Sequence, residues 1–314
     1  MSTFESAYLA LLRSGELKRR VQAAYEHLHA CDFCGQECRV DRYEHVGSCK
    51  TGMRAVVTSY HSHMGEENPL RGWRGSGTIF FAWCNLHCQF CQNYDISQLG
   101  HGQEVEPEEL AAMMLSLQAQ GCHNINVVSP THVVAPILAA VLIAAAAGLH
   151  LPLVWNTGGY DSLAALALLD GVVDIYMPDI KYADAETAQK YSKIEDYPAV
   201  NQAAVKEMHR QVGDLVLDEN GIALRGLLVR HLVLPEGLAG TPQIARFLAE
   251  EISRDTYINV MDQYRPCYKA TELPPLDRPI TRAEFDRALQ QCREAGLHRF
   301  DKREPRILRV PWGV

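Results

Sequence analysis

Three cysteines in one short segment are the residues of this sequence best suited to metal chemistry. Their spacing is Cys84-x3-Cys88-x2-Cys91, directly after an apolar run of strand length. Thiolates are soft ligands that suit zinc and iron–sulfur centres. A structural zinc site normally has four protein ligands, whereas a [4Fe–4S] cluster on three cysteines keeps one iron open. The pattern predicts such a cluster. The alternatives are a zinc loop completed by His87 or by a distant residue, and three unrelated buried cysteines.

A second group of cysteines lies near the start of the chain, at Cys31, Cys34, Cys38 and Cys49. Four thiols can complete a closed metal site, and a short segment of low apolar content gains stability from one. Zinc and a second [4Fe–4S] cluster both fit this group. Free or disulfide-bonded thiols are the third alternative.

The composition indicates an ordinary globular chain. Of its 314 residues, 47% are hydrophobic and 22% are charged, and the formal net charge is −8 at pH 7. This charge argues against broad binding of nucleic acid. The first 20 residues carry charges and no uninterrupted apolar core, so we predict no secretory signal and expect a cytoplasmic location. In that setting, clustered cysteines indicate metal or redox groups before disulfides.

One stretch, residues 133–155, is almost entirely apolar and long enough to span a bilayer. Gly148, His150 and Pro152 interrupt it. We therefore expect a buried helix that ends at Gly148 and leads into a short strand, and no membrane partner.

Apolar runs of strand length alternate with helical patterns along most of the chain. The predicted strands cover residues 77–83, 124–129, 151–156, 172–178, 226–234 and 256–262. Helices are predicted over residues 107–120, 133–147, 162–169, 185–191, 198–211 and 242–252, and a last one opens with the capping box Thr281-x-x-Glu284. This alternation predicts an α/β domain over residues 76–314 with a parallel sheet, open or barrel-like. Residues 1–75 are predicted to form a cysteine-rich N-terminal appendage.

The residues around the three cysteines resemble the radical S-adenosylmethionine (radical SAM) superfamily. The superfamily signature corresponds to Cys84, Cys88, Phe90 and Cys91. The wider segment, residues 74–93, is similar to the activating enzymes of pyruvate formate-lyase, and most similar to an uncharacterised branch related to them. The resemblance extends from about Cys31 to Asp301 and implies a partial (β/α)6 barrel.

The resemblance also implies a mechanism. The open iron of a [4Fe–4S] cluster would bind the amino and carboxylate groups of SAM. One electron would then cleave the sulfonium to methionine and a 5′-deoxyadenosyl radical, which abstracts a hydrogen atom. The implied partners are a one-electron reductant protein of the flavodoxin or ferredoxin type and a glycyl radical enzyme, with a small molecule or a peptide as the alternative substrate.

Further SAM contacts are implied at the ends of the strands, where parallel α/β folds place their chemistry. The residues are Phe90, Ser129, Asn156, Thr157, Asp179, Lys181, Arg230 and Tyr264. Ser129-Pro130-Thr131-His132 stands where the family usually has Gly-Gly-Glu. Lys181 would meet the SAM carboxylate, and an internal ion pair with Asp179 is the alternative.

Two of these predicted SAM contacts need a further assumption, either about the direction of a side chain or about the replacement of one residue type by another. Arg230 is expected to face the barrel interior and its neighbour His231 the opposite face, because side chains alternate along a strand. Tyr264 would replace a SAM-contacting histidine.

Two other function classes fit the cysteines. One is a non-catalytic iron–sulfur electron-transfer protein and the other is a zinc-stapled binding module. The electron carrier has no need of Asn156, Asp179 and Lys181 at the strand ends, which argues against it.

Overall fold

A computed structural model describes residues 4–302 of the chain. Within them the strands are β1 (Ala55–His63), β2 (Ser76–Phe81), β3 (Gln103–Val105), β4 (Ile125–Val128), β5 (Leu153–Thr157), β6 (Ile175–Pro178), β7 (Val216–Leu217), β8 (Ala223–Leu232), β9 (Tyr257–Met261) and β10 (Arg299–Phe300). The helices are α1 (Ala7–Ser14), α2 (Glu16–His27), α3 (Asn68–Arg71), α4 (Tyr94–Ser97), α5 (Pro107–Ala119), α6 (Val134–Ala146), α7 (Leu163–Leu169), α8 (Ala185–Ser192), α9 (Tyr197–Val212), α10 (Thr241–Phe247) and α11 (Arg282–Glu294).

All these strands belong to one sheet. Its order is β10-β9-β8-β6-β5-β4-β2-β1-β3, and β7 pairs with β8. The six strands from β2 to β9 along this path pair in parallel, as does β10 with β9. The two ends of this order are not paired in the described residues, so the sheet is an open, partial barrel.

The six predicted parallel strands are confirmed as β2, β4, β5, β6, β8 and β9. Strands β7 and β8 pair antiparallel and form a hairpin. The sequence reading missed β1, β3 and β10. Strands β1 and β3 are half-exposed and add to the sheet antiparallel, so they lack the continuous apolar pattern of a covered parallel strand.

Alternation along each parallel strand separates two apolar layers. Leu153 and Trp155 of β5 belong to the large core beneath the outer helices. Val154, between them, packs on the inner side with Ile175 and Leu228. Because Asn156 and Arg230 continue the inner-facing positions of β5 and β8, their side chains point into the barrel.

Helix α6 explains the long apolar stretch of the sequence. Its side chains are apolar on every face, and it is buried between α5 on one side and α1 and α2 on the other. A helix that is hydrophobic all round is expected in such a buried position. The chain then passes Gly148 and enters β5, as predicted. Along residues 4–302, no helix combines the length and the apolar character needed to cross a bilayer.

Residues 4–75 contribute to the same architecture. Strand β1 pairs with β2, and helices α1 and α2 share the large core with the outer helices. The division of the chain at residue 75 stays a prediction, and the structure places that boundary between two paired strands of one sheet.

Candidate functional site

The three-cysteine loop begins at the carboxyl end of β2. Trp83, just before the first cysteine, has a left-handed backbone with φ of 66°. That conformation is uncommon for a residue with a side chain, and such residues gather at functional sites. Cys84, Cys88 and Cys91 all line one cavity of about 330 Å³ at the carboxyl ends of the parallel strands.

Each cysteine sulfur has a polar neighbour. The Leu86 backbone N–H donates to Cys84 Sγ at 3.4 Å, and Ser192 Oγ donates to Cys88 Sγ at 3.0 Å. The Sγ of Cys91 lies 3.0 Å from Ser97 Oγ. Donors directed at sulfur stabilise thiolates and tune the potential of an iron–sulfur cluster.

Burial governs the acidity of these thiols. It raises the pKa of Cys84 to about 12 and also raises the pKa of Cys88, the latter against the opposing charge of Lys181. Without a metal, the thiols of Cys84 and Cys88 therefore keep their protons at neutral pH. Metal coordination replaces those protons, because the metal binds the thiolate form.

A chain of charged and polar side chains lies at the ends of β5, β6 and β8. Lys181 Nζ donates to Asp179 Oδ2 at 2.5 Å, and Arg230 Nε donates to Asp179 Oδ1 at 2.8 Å. Arg230 Nη2 also donates to Asn156 Oδ1 at 2.7 Å. Burial alone would raise the pKa of Asp179, but Arg230 and Lys181 hold it below its usual value. The Asp179–Lys181 ion pair weighed in the sequence analysis is thus present.

The turn after β5 is held by a buried carboxylate, Asp161. It accepts hydrogen bonds from Thr157 at 2.6 Å, from Thr131 at 2.9 Å and from Trp155 Nε1 at 3.0 Å. Gly159, two residues after Thr157, has φ of 75°, and a Cβ added there would lie 2.4 Å from the Asp179 carbonyl oxygen. The turn therefore fixes Thr157 at the cavity wall.

The structure brings together most of the predicted site. Seven of the eight predicted cofactor residues line the same cavity as the three cysteines, namely Phe90, Ser129, Asn156, Thr157, Asp179, Lys181 and Arg230. Their roles as SAM ligands stay predictions. A wider groove of about 740 Å³ lies beside α8, α10 and α11 and holds none of the cysteines, so the smaller cavity is the candidate site.

Two further residues, His231 and Tyr264, do not line the cavity. His231 points away from the cavity, as expected, and its ring nitrogens contact the Ile180 carbonyl and Thr241 Oγ1, both at 2.9 Å. Tyr264 differs from the expectation, because its hydroxyl donates to the Leu276 carbonyl at 2.6 Å. Its ring packs against Phe90, and Gln263 lines the cavity in its place.

The four N-terminal cysteines lie together but outside that cavity. Cys31, Cys34 and Cys49 are buried and Cys38 is half-buried. A Cβ added at Gly47 would lie 3.3 Å from Cys38 Sγ and 3.5 Å from Cys49 Sγ, so these two sulfurs face the same point. Arg42 Nη1 donates to Cys31 Sγ at 3.6 Å.

Neither cysteine group matches the geometry of a single-ion site. Over residues 4–302, no three Cys, His, Asp or Glu side chains are placed to share one metal ion. A [4Fe–4S] cluster binds each thiolate to a separate iron, so its ligands are spread more widely than those of one ion. For the three-cysteine loop, the thiol donor set, the hydrogen-bond donors at sulfur and the adjoining cavity fit such a cluster. A metal at the N-terminal cysteines stays a prediction.

The sequence analysis missed two acidic residues of the cavity wall, Glu66 and Glu67. They lie between β1 and β2, in a segment assigned to the appendage. The signal was present as two adjacent acids before Asn68-Pro69, but nothing placed them near the cysteines until β1 was known to pair with β2.

Comparisons with known proteins agree with the predicted resemblance. A sequence profile described as the radical SAM superfamily matches residues 78–218. An uncharacterized protein of Methanocaldococcus jannaschii is 32% identical over 308 residues, which cover 94% of this chain and 83% of that protein.

Two solved structures resemble the fold more distantly. A radical SAM methyltransferase from Sphaerobacter thermophilus aligns with a TM-score of 0.45 and 14% identity, over 71% of this chain and 66% of its own. HydG, a maturase of the [FeFe]-hydrogenase, aligns with a TM-score of 0.47 and 14% identity, over 70% of this chain and 49% of its own.

Proposed function

Because this chain belongs to the radical SAM superfamily, we propose that its iron–sulfur and SAM chemistry takes place in the cavity beside Cys84, Cys88 and Cys91. The observation that carries this assignment is the convergence of the three thiols with Phe90 and six strand-end residues on one cavity. The cluster, when bound, supplies the electron that cleaves SAM to methionine and a 5′-deoxyadenosyl radical.

The side chains of the cavity suit the charged end of SAM. Lys181 offers a point charge to the SAM carboxylate, and Asp179 offers an acceptor to its ammonium group. Arg230, bonded to Asp179 and Asn156, fixes the direction of both acceptors. Preformed partners reduce the ordering cost of binding. Phe90 adds an apolar wall that limits water beside the cluster.

A non-catalytic electron carrier is the main rival function. Such a protein needs ligands and an exit for electrons, but it has no use for a cavity lined by Asn156, Asp179, Lys181 and Arg230. Even buried charges that pair with one another are costly to desolvate, so the presence of this network beside the thiols favours an enzyme.

We further propose that an electron-transfer protein of the flavodoxin or ferredoxin type reduces the cluster in the cytoplasm. The resemblance to the activating enzymes of pyruvate formate-lyase supports a glycyl radical enzyme as the partner, with a small molecule or a peptide as the alternative substrate.

The test of the reaction is anaerobic reconstitution followed by SAM cleavage. We expect about four irons and four sulfides per cluster. On addition of SAM and dithionite, the loaded protein should release 5′-deoxyadenosine and methionine in equal amounts. A fully loaded cluster that yields no deoxyadenosine would overturn the enzyme assignment and leave the electron carrier.

The test of the partner uses pyruvate formate-lyase as the probe. If the chain activates glycyl radical enzymes, the mixture with SAM and reductant should give a glycyl radical signal in electron paramagnetic resonance. Deoxyadenosine without that signal would instead support a different substrate.

A further inference from the structure

The open side of the barrel is crossed by residues 65–71, which join β1 to β2. Leu70 of α3 packs inside the barrel with Val154, Ile175 and Leu228. The Asn68 backbone N–H donates to Asp301 Oδ1 at 3.3 Å, beyond β10 at the far edge of the sheet. With both ends of this segment anchored, Glu66 and Glu67 line the cavity wall.

Glu67 is a buried carboxylate, and a side-chain N–H donates to only one of its two oxygens. Its side chain is 6% exposed, and its Oε1 accepts a hydrogen bond from Asn259 Nδ2 at 2.7 Å. Its Oε2 is fully buried and has no hydrogen-bond donor among the described residues. A buried carboxylate oxygen is costly to leave without a donor, so it needs either the proton of the neighbouring Glu66 carboxyl or a cationic partner.

The two carboxyls are coupled to each other. Burial, and then the neighbouring Glu67, raise the pKa of Glu66 to about 8. With that pKa, Glu66 keeps its proton near neutral pH, which limits the negative charge on the two adjacent side chains. Two other charged groups act on this pair of carboxyls, Arg230 of β8 and Asp179, which directly follows β6. The Tyr257 phenol also lies near Glu67.

Arg230 does not neutralise the pair by direct contact. Its guanidinium forms its hydrogen bonds with Asp179 and Asn156. Asp179 in turn already offers a carboxylate beside Lys181, where the proposed function places the charged end of SAM. The Glu66–Glu67 pair is therefore a second anionic wall of the same cavity, left for another molecule.

We propose that Glu66 and Glu67 form the subsite that binds a protonated amine or guanidine group of the substrate. This inference rests on the proposed function, because it assigns the substrate to the cavity beside the cluster. An ammonium or guanidinium group offers charge-assisted N–H donors to both carboxyls, and it takes the place of the Glu66 proton.

The test measures binding to the reconstituted protein with SAM present and no reductant, by anaerobic calorimetry. The probes are n-butylamine and n-butylguanidine, with n-butanol as the uncharged match. We expect the cationic probes to bind at least about tenfold more tightly than butanol. Repeating the titration in buffers of different ionisation enthalpy should reveal release of a proton.

The matched variants are Glu67→Gln and Glu66→Gln, with Glu219→Gln in the exposed β7–β8 turn as the control. Each cavity variant should lose about tenfold in affinity for butylamine, and the control should not change. Iron content and melting temperature establish that each variant is folded. If a cavity variant does not fold, the comparison of butylamine with butanol in the unaltered protein still decides the matter.

Two results would overturn the inference. Equal binding of butylamine and butanol would remove the subsite. Competition between butylamine and SAM, together with weaker SAM binding in Glu67→Gln, would assign the pair to the ammonium of SAM and not to a substrate. Neither result depends on deoxyadenosine formation, so failure of the proposed reaction is seen separately.

Discussion

The two cysteine regions differ in their surroundings more than in their ligands. The three-cysteine loop faces a cavity that also contains charged strand-end residues. The N-terminal group, Cys31 to Cys49, lies outside that cavity and is mostly buried, with the nearly buried Arg42 donating to Cys31 Sγ and to the Gly52 carbonyl. Sulfur ligands beside open space can serve chemistry on a bound molecule, whereas enclosed ones can serve structure or electron transfer.

The two regions are also in contact. Asn85, next to Cys84, donates to the Tyr160 carbonyl at 3.0 Å, and Gly35 of the N-terminal group donates to the same carbonyl at 3.3 Å. A Cβ added at Gly35 would lie 2.4 Å from the Tyr160 ring. This close approach requires glycine, so the N-terminal segment is fitted to the loop that follows β5.

The largest difference is expected from removing one ligand in each region. Cys88→Ala should abolish the cluster in the cavity and reduce deoxyadenosine formation by at least about a thousandfold, because the reaction has no other electron source. The Cys34→Ala variant should retain the cluster of about four irons in the cavity. It should also still cleave SAM when dithionite is the reductant. Iron and sulfide analysis with product quantification makes the comparison.

Cys292→Ala, in α11, is the control for a buried cysteine outside both groups. The contrast between the regions fails if Cys34→Ala loses as much deoxyadenosine formation as Cys88→Ala while retaining its fold.

The next effect concerns the charge that faces the cavity. Lys181→Gln should weaken SAM binding about thirtyfold, or about 2 kcal/mol, because it removes one member of a buried ion pair and the predicted carboxylate partner. Anaerobic calorimetry on the reconstituted protein measures it. Lys190→Gln, exposed on α8, should leave the affinity unchanged. Unchanged affinity in Lys181→Gln would exclude that residue from the SAM site.

A pH effect is expected from His132, where the two regions approach each other. Its Nε2 lies 3.0 Å from the Ala82 carbonyl oxygen, and burial, followed by the charge of Arg42, lowers its pKa to about 4. Since the unfolded chain takes up the proton near pH 6.5, protonation favours unfolding as the pH falls from about 6.5 to about 4.

Replacing His132 by Gln should remove this dependence. As the pH falls from about 6.5 to about 4, the unaltered protein should lose about 3 kcal/mol of its free energy of unfolding relative to the variant. Urea unfolding at several pH values measures this difference. His45→Gln, at an exposed position, is the control. Parallel curves for the two proteins would contradict the neutral, buried state of His132.

The smallest effect tests the contact between the regions. Asn85→Ala removes a buried hydrogen bond to the Tyr160 carbonyl and should lower the free energy of unfolding by about 1 kcal/mol. Asn220→Ala, in the exposed turn, should change it less. Equal small changes in both variants would indicate that Asn85 does not join the two regions.

Sequence reasoning reached the parallel strands and most of the site for the same physical reason. Buried parallel strands are continuous apolar runs, so a polar residue such as Asp179 at the end of one is conspicuous. Side-chain alternation was enough to separate Arg230 from His231.

Other features depended on contacts that no local pattern contains. Glu66 and Glu67 became part of the cavity only through the pairing of β1 with β2 and the docking of Leu70 inside the barrel. Tyr264 does not line the cavity, because its hydroxyl donates a hydrogen bond to the carbonyl of Leu276, 12 residues further along the chain. Such tertiary contacts override a strand-end position.

The docking of the first helices has a consequence for biosynthesis. Ser6 donates to the His150 carbonyl, a separation of 144 residues, and the Ala7 backbone N–H donates to Asp174. At ribosomal speed this separation takes on the order of ten seconds to translate. Helices α1 and α2 therefore complete their packing only after α6 and β5 have been made.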